Sequence, residues 1–511
     1  MAATMLSHPD HHQLPASKIG TLVLIVLSLL ICKLLYTFFT CPTKHIPGPW
    51  YTRFTHLRLK YAVITGQRIF YIDNLHKQYG PIVRLSPSEV GIADLASFKE
   101  IHKIGSKFLK STWYQRLANF PKAGLFTMID PRQHGPRRKL MAGSFARSYL
   151  VKNWESIVRE KARMAVEKIR EEAEGGKADV FNWWMLLASD VSAHLAFGES
   201  FGMLESGRPN QFIRCLKKLT MGAGIMAELP LLRLLRFIPI QTIQELFNGN
   251  EYIFRGADRA VQLARSATSS TNIFAKVIED CQKDGENHID DMDVRIEAMN
   301  IIIAGTDTTG VTLTYLTWAM LSHPQYQSIL EHEVAQLPDD FTENDLMELP
   351  MLNAVIEETL RLYGAAPSSL PRVVPPGGVT LGSHYVPAGT TVCTQAYTFH
   401  RDPAIWQRPL KFYPPRWFRT ANEDDMSSGT PPAQSPDAKL AFHPFGAGAR
   451  SCVGIHLARM ELRYAVAFFF RECKRMRLCE SVTEESMEFE NFFLIAPKGH
   501  RCEVTLMKGS E

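Results

Sequence analysis

No pair of cysteines in this 511-residue chain stands in a CxxC arrangement, and its nine cysteines, an odd number, fall without regular spacing. A disulfide framework and a structural zinc site are therefore not expected, and the pattern suits a reducing compartment. Charge of one sign is scarce too. Lys and Arg total 57 against 52 Asp and Glu, a formal +5, which is too mild for a nucleic-acid partner but compatible with an acidic protein or an anionic membrane surface. Internal repeats are missing, and low complexity is confined to "ANEDDMSSGTPPAQSPDAK", residues 421–439, which reads as an exposed insertion. Composition, 45% hydrophobic and 21% charged, is globular.

A long apolar run occurs at the start. "IGTLVLIVLSLLICKLLYTFF", residues 19–39, is interrupted only by Lys33, about the 20 residues that a bilayer-spanning helix needs, with the lysine able to snorkel. Residues 19–40 are thus expected to be a single transmembrane anchor, with 1–18 on the lumenal side. Lys44, Arg53, Arg58 and Lys60 follow it, against Lys18 alone before it, so the larger part faces the cytosol. Residues 41–50, containing "KHIPGPW", form a proline-stiffened hinge, and 51–511 are expected to be one domain.

Within that domain helical patterns dominate. "NWESIVREKARMAVEKIREEAEGG" stops at glycine, "FNWWMLLASDVSAHLAFG" reads as a buried helix, and "MDVRIEAMNIIIAGTDTTGVTLTYLTWAMLSHP" runs some thirty residues to Pro324. "PIVRLSPSEVGIA" and "GVTLGSHYVPAGTTVCTQA" each suggest two strands around a turn. The fold class is mainly α with small β-sheets.

The most constrained stretch is "HPFGAGARSCVGIHLARM", residues 443–460, in which Phe445 to Gly454 read F-x-x-G-x-R-x-C-x-G. Gly448 permits a left-handed turn and Gly454 a close approach of the next helix. Arg450 offers a planar fork for a carboxylate. Cys452 precedes a helix whose free amides and dipole favour the thiolate. A dinucleotide fingerprint is excluded because Ser451 stands where its third glycine belongs.

This loop is similar to the haem-ligand loop of the cytochromes P450, and the resemblance covers nearly the whole chain after residue 45. It implies the mainly helical fold of that family and a haem-thiolate catalytic domain over 51–511. Cys452 would be the axial thiolate of haem b iron, with Phe445 and Gly446 in the cradling loop. "AGTDTTG", residues 304–310, resembles the oxygen-activation motif, with Thr308 bonding the oxygen and Asp307 feeding it protons; from the residues alone, the threonines could instead bond back to the helix and bend it. Glu358 and Arg361 in "EETLRL" share a helix face, and with Arg416 in "FYPPRWF" they resemble the family's structural ion network, although Pro415 replaces its usual glutamate. His134, Arg138, Arg372 and Arg450 are the expected propionate partners, His134 standing where the family has tryptophan; Pro136 is expected in the first turn of their helix, which then starts at or after roughly Gln133.

The resemblance further implies an endoplasmic reticulum membrane enzyme of fungal secondary-metabolite style, inserting one atom of O2 into a lipophilic small molecule. Electrons would come from NADPH through a reductase, with cytochrome b5 as a further donor, docking on the basic run Arg471, Lys474, Arg475 and Arg477. The apolar but proline-broken segment 221–240 would dip into the membrane surface. Two alternatives stay open: a haem-thiolate isomerase or lyase without O2 insertion, and a non-catalytic haem-binding protein. Substrate-pocket candidates are Ala366, Pro367, Ser368 and the region 108–126.

Overall fold

The computed structural model describes residues 16–118, 120–238, 240, 257–258, 260–262, 265, 272–284, 289–418 and 435–507. Residues 421–434 of the expected insertion 421–439, and Pro239 of the apolar segment, lie outside the described residues. The remainder of the insertion is not exposed throughout, since Ser435 caps a short helix, Pro436–Ala441, in which Ala438 is buried. The N-terminal run forms α1 (Ala16–Thr40), with Leu24, Leu29, Tyr36 and Phe39 among its exposed side chains. Among the described residues no helix is long and apolar enough to cross a membrane.

The proline-rich segment that follows is docked, not loose. Buried Arg84 donates from Nη1 to the carbonyls of Thr43 (3.1 Å) and Ile46 (2.6 Å), and from Nη2 to those of Gly48 and Pro49 (both 3.2 Å). Five donors in a rigid fork suit arginine to gathering a turn's orphan carbonyls.

Arg84 belongs to β1 (Ile82–Ser86), which forms a hairpin with β2 (Glu89–Ile92). Short strands β3 (Leu109–Lys110), β4 (Arg372–Val373) and β5 (Thr391–Thr394) complete a five-stranded sheet in the order β1-β2-β5-β4-β3. The second strand-rich stretch therefore yields three strands, not two: Val379–Leu381 and His384–Val386 pair around Gly382, and β5 crosses to the larger sheet.

Helices build the rest: α2 (Leu57–Ile64), α3 (Pro131–Ser144), α4 (Arg147–Glu174), α5 (Val180–Phe197), α6 (Gln211–Glu228), α7 (Asp291–Leu321), α8 (Pro350–Tyr363) and α9 (Ile455–Glu472). Asp179 caps α5 by accepting from Phe181 N, and left-handed Gly198 closes it. Asp290 and Asp293 form a capping box at the head of α7. The core is continuous across α4, α5, α7, α8 and α9, with Trp154, Trp184 and Tyr315 among its largest members.

Helix α3 starts earlier than expected. Asp130 accepts from Arg132 N, Pro131 takes the first helical position and Pro136 lies inside the helix. A good N-cap followed by proline at N1 fixes the start, and the helix carries the missing bond of Pro136 in its second turn.

The glycines of the long helix serve its packing. A Cβ on Gly305 would lie 2.2 Å from Ser192 Oγ, and one on Gly310 would lie 2.5 Å from Met185 Sδ. Both contacts are with α5. The small residues let two buried helices touch, and the space beside Ala304, which is exposed, is on another side.

Candidate functional site

The loop ahead of α9 folds through two left-handed glycines, Gly446 (φ +71) and Gly448 (φ +62). At Gly448 any Cβ would sit 1.8 Å from the carbonyl oxygen of His102, so that position demands glycine on both conformational and steric grounds. Cys452 N donates to Phe445 O at 2.8 Å, closing the loop on itself. Gly454 behaves otherwise: a Cβ there would meet only ordinary contacts, so close packing does not explain it, and its backbone amide instead favours the thiolate of Cys452.

Cys452 retains accessible surface although protein surrounds it, so the thiol borders interior space. Burial, the largest influence, pushes the thiol above its ordinary pKa; the Gly454 amide and Arg138 pull it down without prevailing. The depression expected from the helix dipole is therefore not a property of the polypeptide alone, because desolvation of a thiolate outweighs one amide and a neighbouring cation.

Around this loop the structure gathers cations. Arg138 reaches from α3 to donate to Ser451 O (2.7 Å) and Ser451 Oγ (3.1 Å). Arg450 donates to the carbonyls of Met128 (2.6 Å) and Ile129 (2.9 Å). Arg372 on β4 is buried and directly opposes Lys110 of β3 in the antiparallel register. Like charges placed directly opposite repel. Lys110, also buried, donates to Phe126 O (2.6 Å) and lies 4.2 Å from the Tyr114 ring centre.

The electrostatics register the crowding. Burial, then Arg372, Arg450 and Arg138, hold the Lys110 amine well below its ordinary range. Burial and Arg372 lower Arg450 to about 10. Burial, then Arg450, Lys110, Arg138 and Arg372, lower buried His134 to about 3. The carboxylate of Asp130, the one acid acting appreciably on Arg450, is exposed and engaged as the α3 cap. A cationic cluster in which Lys110 and Arg372 are buried, and none of whose four cations pairs with a carboxylate among the described residues, suits a ligand carrying carboxylates. The four expected propionate partners do converge, and Lys110 and Tyr114, which sequence reasoning missed, join them. Their only cue was a place in the region 108–126.

The second cluster is closed. Arg361 grips Glu358 with two bonds (Nε to Oε2, 2.9 Å; Nη2 to Oε1, 2.8 Å), and Arg416 Nε adds contacts of 3.0 and 3.1 Å. Tyr413 N (2.8 Å) and Trp417 Nε1 (2.9 Å) donate to the same carboxylate. Where the family's glutamate is absent at Pro415, Arg416 turns its remaining donors to the carbonyls of Gln407 and Arg408. His400 carries the network to the loop. His443 N donates to His400 Nε2 at 3.1 Å, so the proton is on Nδ1, which donates to Arg361 O at 2.9 Å. Trp417 and His400 were not anticipated. By contrast, other Glu and Arg residues three apart in the sequence, Glu160 with Arg163 and Glu205 with Arg208, do not build such a cluster: Arg163 pairs with Glu167 and Glu205 with Lys161.

In α7, Thr308 Oγ1 donates to Ala304 O (2.5 Å) and Thr312 Oγ1 to Thr308 O (2.7 Å). The back-bond fixes the Thr308 rotamer and leaves its oxygen free to accept. Of the pocket candidates, Ser368 is buried, donates to Phe493 O (2.7 Å) and accepts from Asn491 Nδ2 (2.8 Å), which brings the turn at Phe493 to the same region.

Comparison with known proteins is consistent with this geometry. The family model described as Cytochrome P450 matches residues 45–504. A cytochrome P450 monooxygenase, stcB, of Emericella nidulans is 40% identical over 486 residues, 92% of this chain and 89% of that protein. The cytochrome P450 monooxygenase cypX of Dothistroma septosporum is 38% identical over 93% of each chain. Among solved structures, the crystal structure of the cytochrome P450DA heme domain superposes with a TM-score of 0.75 at 18% identity, covering 91% of this chain and 98% of that one.

Proposed function

The chain belongs to the cytochrome P450 family, and we propose that it is a membrane-anchored monooxygenase of fungal secondary metabolism, inserting one atom of O2 into a lipophilic small molecule and reducing the other to water. The observation that carries the reading is the cationic cluster of Lys110, Arg138, Arg372 and Arg450 beside the Cys452 loop. Two carboxylates on a flat ligand, as in haem, would supply the missing negative charge, and haem bound there brings the oxygen chemistry.

Each residue then has a task. Cys452 Sγ would ligate the haem iron, its thiolate favoured by the Gly454 amide. Arg138, Arg372, Arg450 and Lys110 hold the carboxylates, with His134 beside them and Phe445 and Gly446 shaping the loop. Thr308, its rotamer fixed by Ala304 O, accepts and passes a proton, with Asp307 as the donor behind it. Glu358, Arg361 and Arg416 keep the loop in register.

Electrons reach the site from NADPH through a flavoprotein reductase, with cytochrome b5 as a second donor. In this reading the apolar run 19–40, whose side chains are described only in part, anchors the chain in the endoplasmic reticulum membrane, residues 51–511 facing the cytosol. Exposed Trp50, Leu57 and Tyr61, with Leu231, Leu234 and Phe237 in the segment after α6, support an apolar contact with that membrane.

The test supplies the haem-loaded enzyme with reductase, NADPH and the intermediates of a candidate pathway, and measures product mass. A gain of one oxygen atom that disappears in Cys452→Ser, together with the thiolate-type carbon monoxide spectrum, is expected. Rearrangement without reductase would assign an isomerase instead, and a bound haem that turns nothing over would assign a carrier or sensor.

A further inference from the structure

Between the short helix Trp113–Ala118 and α3 the chain crosses the head of α7, and it is held there at four points. Arg450 takes the carbonyls of Met128 and Ile129, and Lys110 takes that of Phe126. These two holds come from the cationic cluster. The other two come from α7. Lys122 Nζ bridges Asp290 (2.9 Å) and Asp293 (2.8 Å), and Leu125 N donates to Glu297 Oε1 at 2.7 Å.

Glu297 is a carboxylate with 2% exposure, and it gathers three elements. Besides the loop amide, Oε1 accepts from Arg137 Nη1 of α3 (3.3 Å), while Oε2 accepts from Asn300 Nδ2 (3.2 Å). Arg137 also pairs with Asp293 at 3.0 Å. Gly124 makes the approach feasible, since a Cβ there would lie 2.5 Å from Asn300 Nδ2 and 2.7 Å from Ile296 Cγ2. Next to this clasp, Phe126 packs edge-on against Tyr114 (5.3 Å between ring centres) and against Phe493 (6.0 Å). The three rings join the clasped loop to Ser368 and the turn at Phe493.

Resting on the family assignment above, we propose that Glu297 is a positioning residue. By clasping the Leu125 amide it fixes the Leu125–Phe126 wall, and so sets which ligands, by bulk, the haem space admits. A purely structural carboxylate would need only Arg137 and Asn300; the bond to a loop N–H, made possible by a glycine with no room for a side chain, is what the assignment explains. Loss of the clasp leaves the Lys122, Lys110 and Arg450 holds, so the loop loosens at Leu125, between Lys122 and Phe126.

The test uses the full-length haem-loaded protein. Hydrogen exchange over residues 122–129 and binding of two probes, imidazole and a bulky diaryl-substituted imidazole, are measured by spectral titration. In Glu297→Ala, exchange of that segment is expected to accelerate about tenfold or more, and the ratio of bulky to compact affinity to shift about tenfold with the thiolate-type spectrum retained. Glu297→Gln keeps an acceptor for Leu125 N and is expected to restore the wild-type ratio. Unchanged exchange, or equal shifts for both probes, would overturn the proposal. Should Glu297→Ala fail to fold, Gly124→Ala decides: it pushes the loop off α7 without touching a charge, and it must reproduce the selective shift or the proposal falls. A wild-type protein without the thiolate-type spectrum would fault the haem reading alone, because loop exchange would still judge the clasp.

Discussion

Two buried charge clusters flank the Cys452 loop, and they are built on opposite plans. Around Glu358 one carboxylate receives bonds from two arginines, an indole and a backbone amide, and each partner is itself satisfied. Around Arg372 the neighbours are cations: Lys110 stands directly across the sheet, and Arg138 and Arg450 lie near enough to depress the Lys110 amine. The first cluster is complete within the polypeptide. The second is complete only when something anionic joins it, because unpaired buried charge is costly. Protein-only completeness marks a structural device, and incompleteness marks a binding site.

Breaking the closed cluster should have the largest effect. Glu358→Ala strands two buried guanidinium groups, and breaking such a pair costs about 3–5 kcal/mol; thermal unfolding and haem retention should both report it. The same carboxyl gives a pH signature. Burial pushes Glu358 up, but Arg361, its hydrogen bonds and Arg416 outweigh burial, so the folded value lies below the ordinary one. Its contribution is therefore fully present above the unfolded pKa of about 4.3 and is lost as pH falls through the folded value. Acid titration of unfolding in Glu358→Gln should lack that component.

Next comes the seam between the clusters. Gly448→Ala forces a side chain into left-handed backbone and onto His102 O, with strain of about 1–3 kcal/mol before any clash is relieved. The expected result is a lowered melting temperature and a weakened thiolate-type spectrum; an unchanged spectrum would show that the loop can move without carrying Cys452.

The open cluster should answer with a change of sign. Lys110→Met removes one of two opposed cations, so the haem-free chain should gain about 1 kcal/mol, whereas the loaded protein should release haem faster. Parallel denaturation of the two forms measures both. If the variant destabilised both forms alike, the cluster would be structural and the contrast with Glu358 would fail. His134 sharpens the point. Its folded value of about 3 follows from burial and then the four cations, so its neutral form contributes stability above about pH 6.5 that is lost as pH falls toward 3. An anionic ligand quiets those cations, and the haem-loaded protein should lose less on the same descent.

What was legible in the sequence divides along the same line. The Cys452 loop, the α7 segment around Thr308 and the Glu358–Arg361 pair are local patterns, because their spacing alone puts the groups on one turn or one helix face. Lys110 against Arg372 was not legible, since it depends on strand pairing between distant parts of the chain, and neither strand is longer than two residues. The clasp of Leu125 by Glu297 spans 172 residues and leaves no local mark. Where local rules compete, the sequence misled. Pro136 suggested a helix start, but Asp130 and Pro131 cap more strongly. Gly305 and Gly310, inside the motif around Thr308, carry no local mark of the close contacts with Ser192 and Met185 that require them.

The smallest effect tests whether location, and not charge itself, makes the two clusters matter. Arg471, at the far end of α9, pairs with fully exposed Asp339 at 2.6 Å and donates to Pro338 O. An exposed pair of this kind is worth about 0.2–1 kcal/mol and is screened by salt, so Arg471→Ala should move the unfolding midpoint little, far less than Glu358→Ala. Its consequence should be kinetic. If this basic face meets an acidic reductase, as proposed above, one lost cation slows encounter at low ionic strength and scarcely at high. Stopped-flow reduction at two salt concentrations separates the outcomes: a salt-independent defect would mean that Arg471 acts through α9 and the loop, which would place surface and buried charge on one continuous scale.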